Sequence, residues 1–320
     1  MSLGNKDTAV DPLVTIIACC YNHAAYLEAT LDSIVQQTYH NIQLIITDDF
    51  STKDNSVAVI KAWIKRHAIA CTFITNKKNE GVCKTFNKAL SHANGKYYQV
   101  IACDDVMLPH KISTQVAALE QAPEEVAVVH TDALVLDQNS KLLHSSFYQF
   151  YQLEPLKGAE QLEALVVQNS IIAPSVLMKR QIFVDIGAYD EQLCYEDWDA
   201  WLRLAAAGYQ FLRLEEPLVY YRYFSNSSSR TSSFQLSMAR DSIVLLDKHR
   251  GRNKTLNQKI VTAQRRSIDL LIAHDVTNRR ILWKKLLNEK SLYSLLLWLC
   301  ACVGIQPSRA NRIKDKLKRK

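Results

Sequence analysis

Asp104 and Asp105 stand side by side at the end of an apolar run, residues 97–103, and Pro109 follows shortly after. In an open α/β sheet the ligand sits at the carboxyl ends of the strands. Two neighbouring carboxylates placed there repel each other unless a cation joins them. A divalent ion carrying a phosphorylated ligand meets that need, because hard cations take carboxylate and phosphate oxygens. The competing reading is structural: Asp104 or Asp105 caps a helix that opens near Pro109. The 8 cysteines offer no other chemistry, since they form no CxxC pair and no zinc-like spacing with histidine. They suit a reduced, cytoplasmic protein that uses Cys as a small hydrophobe.

The elements that must position these acids follow from periodicity. Residues 13–19 read as a strand buried on both faces, with Tyr21-Asn22-His23 as the turn after it. Residues 24–37 carry Leu27, Leu31, Ile34 and Val35 at helical spacing. A second strand, 42–47, ends in Asp48-Asp49, and a helix at 56–67 leads to a third strand at 71–75. Asn79-Glu80-Gly81 turns into a helix at 82–92, and the fourth strand ends in Asp104-Asp105. This alternation predicts βαβ units and a mostly parallel sheet. Beyond Pro109 the pattern predicts a helix to about residue 121, a strand at 126–130 and a hairpin over 134–143. A helix at 158–168, a strand at 175–178 and an aromatic-rich helix at 195–207 come next. Short strands at 211–214 and 218–221 close the body. Residues 225–233 are serine-rich, and the chain from residue 234 reads as helical with breaks near Gly251, Asn278 and Gln306-Pro307.

Charge is divided along the chain. Residues 248–320 hold 19 Lys and Arg against 4 Asp and Glu, while residues 1–247 hold 20 against 28, so the formal net charge of +7 conceals an acidic body and a basic tail. Such asymmetry points to an anionic partner, a membrane surface or nucleic acid. Within the tail, residues 292–305 form a dense apolar run flanked by Lys284, Lys285 and Lys290 and by Arg309 and Arg312. A spanning helix needs about 20 apolar residues, so this run is too short to cross a bilayer. With Trp298 and its basic flanks it suits a helix lying in an anionic membrane surface, or else one packed on the body. Nucleic acid is not expected, because the apolar centre of the tail is no aromatic-lined basic groove. No basic stretch followed by an apolar core marks a secretory signal at the start.

Four pieces of sequence, in order, resemble the inverting glycosyltransferases of family two, which have the GT-A fold. They are 14–22 with Tyr26-Leu27 and 31–38; Asp48-Asp49-Phe50-Ser51-Thr52; Asn79-Glu80-Gly81 with 87–90 and 104–109; and Gly187-Ala188-Tyr189-Asp190-Glu191 with 196–203. The resemblance covers roughly residues 13–230. It implies transfer of a sugar from a nucleoside diphosphate to an acceptor hydroxyl. It further implies that Cys19, Tyr21, Asn22 and Asp49 hold the donor nucleotide. Asp104 and Asp105 share its ribose and a metal, Mn2+ or Mg2+, with the division between them open. By the same resemblance Asp197 is the catalytic base; Glu196 and Trp198 beside it are expected at the acceptor, and Arg222, Asn226 or Arg230 at the diphosphate in place of a histidine the family often has. Ordinary alternatives stand beside these roles: Asp49 as a turn residue, Tyr21 and Trp198 as core aromatics, and Asp197 as a first-turn carboxylate favoured by the helix dipole. Where the family often has a carboxylate two places before the metal ligand this chain has Ala102. Where it often has a histidine after Arg222 the chain has Tyr223 and Phe224.

The resulting expectation is an α/β GT-A protein with a helical C-terminal appendage. Residues 1–12 form an extension, 13–232 the transferase domain (13–109 for the nucleotide-sugar, 110–232 for the acceptor), and 233–320 a basic membrane-associating region. Its expected activity is metal-dependent, inverting transfer of a hexose, glucose or galactose, from a UDP-sugar to a polyprenyl-diphosphate-linked saccharide. The setting is the cytoplasmic face of a bacterial inner membrane, in O-antigen or other surface-polysaccharide synthesis. A sugar-nucleotide binder that leaves the chemistry to a partner is the alternative.

Overall fold

The computed structural model describes residues 11–156, 158, 160–225, 231–276 and 278–311. Its first half alternates strictly. β1 (Val14–Cys20) leads to α1 (Leu27–Val35), β2 (Ile42–Asp48) to α2 (Ser56–His67), and β3 (Cys71–Thr75) to α3 (Val82–Leu90) and β4 (Tyr97–Ala102). β1 pairs in parallel with both β2 and β4, and β2 with β3, giving the parallel sheet that the alternation predicts. Ile16, Ile17 and Ala18 in β1 and Ile45 and Ile46 in β2 are fully buried, so neither face of these strands meets water. α1 covers the sheet with Leu27, Leu31 and Ile34, spaced four and three apart and all buried. Each such side chain contributes about 1.5–3 kcal/mol by leaving water.

The second half departs from simple alternation. It comprises β5 (Val106–Met107), α4 (Lys111–Gln121), β6 (Val126–Leu136), β7 (Leu142–His144), α5 (Phe147–Tyr151) and α6 (Gln161–Val167). β8 (Leu177–Lys179), α7 (Arg180–Asp185), α8 (Asp197–Ala206) and β9 (Gln210–Arg222) complete it. All strands join one sheet in the order β3-β2-β1-β4-β8-β6-β9-β5, with β7 paired to β6. β8 runs antiparallel to β4 and β6, and β6 runs parallel to β9. The hairpin over 134–143 forms as β6–β7. The two short strands expected at 211–214 and 218–221 are one strand, β9. Pro217 interrupts the apolar pattern but lies opposite Asp132, where the ladder shifts register and its missing N–H does little harm. The strand expected at 175–178 begins later, after a 3-10 turn at Ala173–Ser175.

A buried polar cluster ties α4 to the sheet. The ammonium of Lys111, fully buried, donates to the side-chain oxygens of Gln99 on β4 and Gln115 on α4. Gln115 in turn donates to the Ser175 carbonyl at 2.7 Å. Burial holds the Lys111 ammonium well below the usual lysine range.

The chain divides into two compact units. The first holds the sheet; the second takes Leu162–Asn169, Leu193–Tyr195 and the chain from Ser225 onward. In the second unit α9 (Ser232–Asp247), α10 (Lys254–Ala273), α11 (Arg279–Glu289) and α12 (Leu292–Cys302) follow one another. Ala239, Ile243, Ile268, Leu271, Leu282, Leu297 and Cys300 form its core. The helical pattern breaks once more than expected, at Lys290. That residue takes a left-handed conformation, and Ser291 restarts the helix through a capping box with Ser294. Residues 1–10 of the expected extension lie outside the described residues.

Gly95, just before β4, carries a testable constraint. A Cβ there would lie 2.4 Å from the Tyr97 carbonyl oxygen and 2.6 Å from the Thr15 nitrogen, both backbone atoms. Gly95→Ala should destabilise the fold by about 2–4 kcal/mol, the range of severe overpacking. Chemical denaturation of the two proteins would show it, and an unchanged midpoint would refute the clash.

Candidate active site

The carboxyl ends of β1, β2 and β4 lie shoulder to shoulder. Cys19 is level with Thr47 on one side and Ala102 on the other, and Cys20 is level with Asp48. The backbone continues the pairing past the strand ends: Asp49 N–H donates to the Cys20 carbonyl at 3.0 Å, and Cys103 N–H to the Cys19 carbonyl at 2.9 Å. The parallel register thus brings Tyr21, Asp49 and the Asp104-Asp105 turn to one rim. The helix-cap reading of that turn is overturned. α4 starts at Lys111, its capping residue is His110, and no side chain caps it. Asp104 and Asp105 instead occupy the bend between β4 and β5.

Arg222, at the end of β9, holds this bend. Its N–H donates to Asp105 Oδ1 at 2.8 Å and its Nε–H to the Asp104 carbonyl at 2.8 Å. Its Nη1 donates to the Asp137 carbonyl and the Ser140 hydroxyl, and its guanidinium lies over the Tyr26 ring at 4.5 Å. The expected diphosphate contact is therefore 4% exposed and turned onto protein acceptors. Arg230 and Asn226 lie outside the described residues. Burial raises the pKa of Asp104, with His23 and Arg222 opposing it. Burial, and then the Asp104 carboxylate, push Asp105 well above the carboxylate range. The thiol of Cys103 and the hydroxyl of Tyr221 also feel this charge.

On the neighbouring strand ends the side chains divide into held and open. Tyr21 is 42% exposed and is no core residue. Asn22 adopts a left-handed φ of 58° and its side-chain oxygen accepts from Thr52 and Lys53 N–H, clamping the loop after β1 to the loop after β2. The Cys19 thiol is pushed up to about 12, chiefly by burial, with Asp49 and Glu196 among the charges adding to it. Asp49 is buried, accepting from Asn76 Nδ2 and Glu80 N–H on Oδ1 and from Gly81 N–H on Oδ2. Among the described residues these bonds leave one of the roughly four acceptor positions of the carboxylate, on Oδ2.

The third group enters from α8. Glu196 is the capping residue and Asp197 the first helical residue, with its own carboxylate accepting from Trp198 N–H at 2.6 Å. This fits the favourable place of an acid at a helix N-terminus. Glu196 is pushed up to about 8, first by burial and then by the Asp197 carboxylate. Burial raises the Cys83 thiol on α3, and both acids add to it. Trp198 is half-buried, whereas Trp201 is a core residue packed edge-on against Phe211. Asp199 is fully buried and ion-paired with Arg203 at 2.7 Å, and Arg203 Nη1 also donates to the Ile186 carbonyl. The loop at Tyr189 is pinned to α3, because Asn87 exchanges hydrogen bonds with its backbone.

The sequence points to Asp49, Asp104, Asp105, Glu196 and Asp197 but not to His23. Its Nε2 lies 3.7 Å from Asp104 Oδ2, and its Nδ1 is buried without a partner. The available signal was its place three residues past the end of β1, on the same rim. Among the described residues no three His, Cys, Asp or Glu side chains are grouped as metal ligands.

Residues 15–187 match the pattern described as Glycosyl transferase family 2, and the chain belongs to that family. An uncharacterized glycosyltransferase of Methanocaldococcus jannaschii is 29% identical over 213 residues, 66% of this chain and 71% of that protein. The chain spans 60% of the length of two rickettsial relatives. Among solved structures, the mannosyltransferase PcManGT from Pyrobaculum calidifontis, in complex with GDP-Man and Mn2+, matches with a TM-score of 0.60 at 16% identity. The match covers 98% of this chain and 89% of that one. TarS 1–349 of S. aureus, in complex with UDP-GlcNAc, matches at 0.57 and 16%, over 90% of this chain and 79% of that one. The fold is the GT-A type.

Glu196 supplies a pH test of the rim. Its folded-state pKa lies above the unfolded value near 4.5, so the fold favours its protonated form. The stability it contributes is full below that unfolded value and is lost as pH rises through about 8. Glu196→Gln should be more stable than the parent by about 2 kcal/mol at pH 9 and little different at pH 4. Scanning calorimetry across that range reads it, and parallel curves for the two proteins would refute the shift.

Proposed function

We propose that this chain is an inverting hexosyltransferase. It moves a hexose, glucose or galactose first, from a UDP-sugar to a saccharide carried on polyprenyl diphosphate. The place of this reaction is the assembly of a bacterial surface polysaccharide such as O-antigen. The observation that supports the reading is two acid pairs in the first unit: Asp104-Asp105 in the bend after β4, at the strand-end rim, and Glu196-Asp197 at the start of α8.

The acceptor hydroxyl attacks the anomeric carbon from the face opposite the diphosphate. As the new C–O bond forms and the old one breaks, the proton passes to the Asp197 carboxylate and UDP departs with the bond's electron pair. Glu196, neutral at pH 7 because burial and Asp197 raise it, keeps the second negative charge off this pair. It then offers a hydroxyl to the acceptor, while Trp198 gives a sugar ring an apolar face. Cys19, Tyr21, Asn22 and Asp49 serve the nucleotide. The single acceptor position left on Asp49 suits the one imide N–H of uracil better than the paired donors of guanine. That favours UDP over the GDP of the Pyrobaculum neighbour.

Asp104 and Asp105 would hold Mn2+ or Mg2+, because two neighbouring carboxylates driven toward protonation by burial would be relieved by a hard divalent cation. Asp104 is the more available of the two, since Asp105 Oδ1 accepts from Arg222. When bound, such an ion neutralises the leaving diphosphate. Arg222 acts here by holding the acid turn through its N–H, Nε and Nη1. Residues 13–232 form the transferase domain under this reading, 13–109 serving the donor and 110–232 the acceptor. Residues 233–320 keep it on the cytoplasmic face of the inner membrane.

Transfer from a panel of UDP- and GDP-sugars to a lipid-diphosphate saccharide tests it, with the product's anomeric configuration read by NMR. Asp197→Asn should lower kcat about 10²–10⁴-fold while leaving UDP affinity nearly unchanged, as loss of a general base does. EDTA should abolish turnover and Mn2+ restore it. Tight UDP binding with no transfer to any acceptor would instead favour a non-catalytic sugar-nucleotide binder. Turnover indifferent to Asp197→Asn would remove the assigned base.

A further inference from the structure

α12 is apolar on every side. From Ser291 to Gly304 the chain has no Asp, Glu, Lys or Arg. One face, Ser294, Leu297, Cys300 and Ala301, is buried in the core of the second unit. The other face carries Leu292, Leu295, Leu299 and Val303, spaced three, four and four apart, which makes one stripe. All four are exposed, Leu292 at 86% and Val303 at 72%. Beside them Trp283, on α11, is exposed and packs against Trp298 with ring centres 5.0 Å apart and planes tilted by 52°, and Leu287 is exposed as well. A helix on an ordinary surface presents charge to water; this one presents leucine and valine.

We infer that this stripe is a membrane-docking face: α12 lies flat in the headgroup layer of an anionic bilayer, with its four exposed apolar side chains inserted. The inference rests on the membrane association proposed above and names the surface responsible. Charge selects the occupant. Arg279, Arg280, Lys290 and Arg309 are exposed and have no acidic partner among the described residues. The sequence from residue 248 carries 19 basic residues against 4 acidic ones. A second copy brought to the same face would set like charges together, whereas anionic lipid headgroups neutralise them. No helix among the described residues is long and apolar enough to cross a membrane, so the helix lies in the interface plane.

Sedimentation of the full chain with vesicles tests it, with neither donor nor acceptor present. The chain should pellet with phosphatidylglycerol-containing vesicles, less with pure phosphatidylcholine, and less at high salt. A double variant, Leu292→Glu with Val303→Glu, should bind about tenfold more weakly or worse, with an unchanged melting temperature because both sites face water. Arg279→Glu with Arg280→Glu should weaken binding to the anionic vesicles alone. The proposal falls if the parent stays in the supernatant at low salt or the leucine–valine variant pellets like the parent. It also falls if light scattering finds a dimer that this variant dissolves, which would make a second copy the occupant. Because vesicle binding is read without substrates, its failure leaves the transfer reaction standing, and failure of transfer leaves the docking face standing.

Discussion

Two ionisable carboxyls on consecutive residues, both driven toward protonation by burial, are the feature that the rest of the first unit is built to contain. Alone they would cost stability through desolvation and mutual repulsion. Arg222 offsets this from three directions at once. Its backbone satisfies one Asp105 oxygen, its Nε satisfies the Asp104 carbonyl, and its positive charge favours ionisation of both. The same guanidinium lies over Tyr26 and reaches the β6–β7 hairpin at Asp137 and Ser140. One buried cation thus fixes the acid bend against the loop preceding α1 and against the far strands.

The remaining rim follows the same logic of engaged polar groups. Asn22 clamps two loops, Asp49 gathers donors from the loop before α3, and Arg203 with Asp199 anchors the backbone ahead of α8. Each fixes a segment whose own residues are short and polar and would otherwise have little to hold them. Tyr21, exposed and outside this set of bonds, is the side chain with freedom to meet a ligand.

How much of this was legible in the sequence depended on whether the controlling interaction was local. β1 to β4 carry mostly apolar runs separated by helical spacing and turns, so their existence and parallel direction follow from pattern, whereas their order in the sheet does not. The acids at their ends were legible for the same reason, being abrupt polar stops. β5 was missed because it has two residues and exists only as the partner of β9. β9 was split because Pro217 looks like a terminator until a partner with a shifted register is known. Arg222 looked like a ligand for phosphate because nothing nearby in sequence reveals the carboxylate and carbonyls that claim it. In the tail, composition gave the apolar run, but which of its residues turn inward depended on packing with Ile268, Leu271 and Leu282.

The bond between Arg222 and Asp105 joins residues 117 positions apart. Contacts that far apart form late, because a long loop must close before they yield anything. A chain still emerging from the ribosome therefore has β1 to β4 available for pairing well before the arginine exists. The acid bend stays untethered until the ninth strand arrives, so it takes its final form at the end of the first unit's synthesis rather than with the strands that carry the acids.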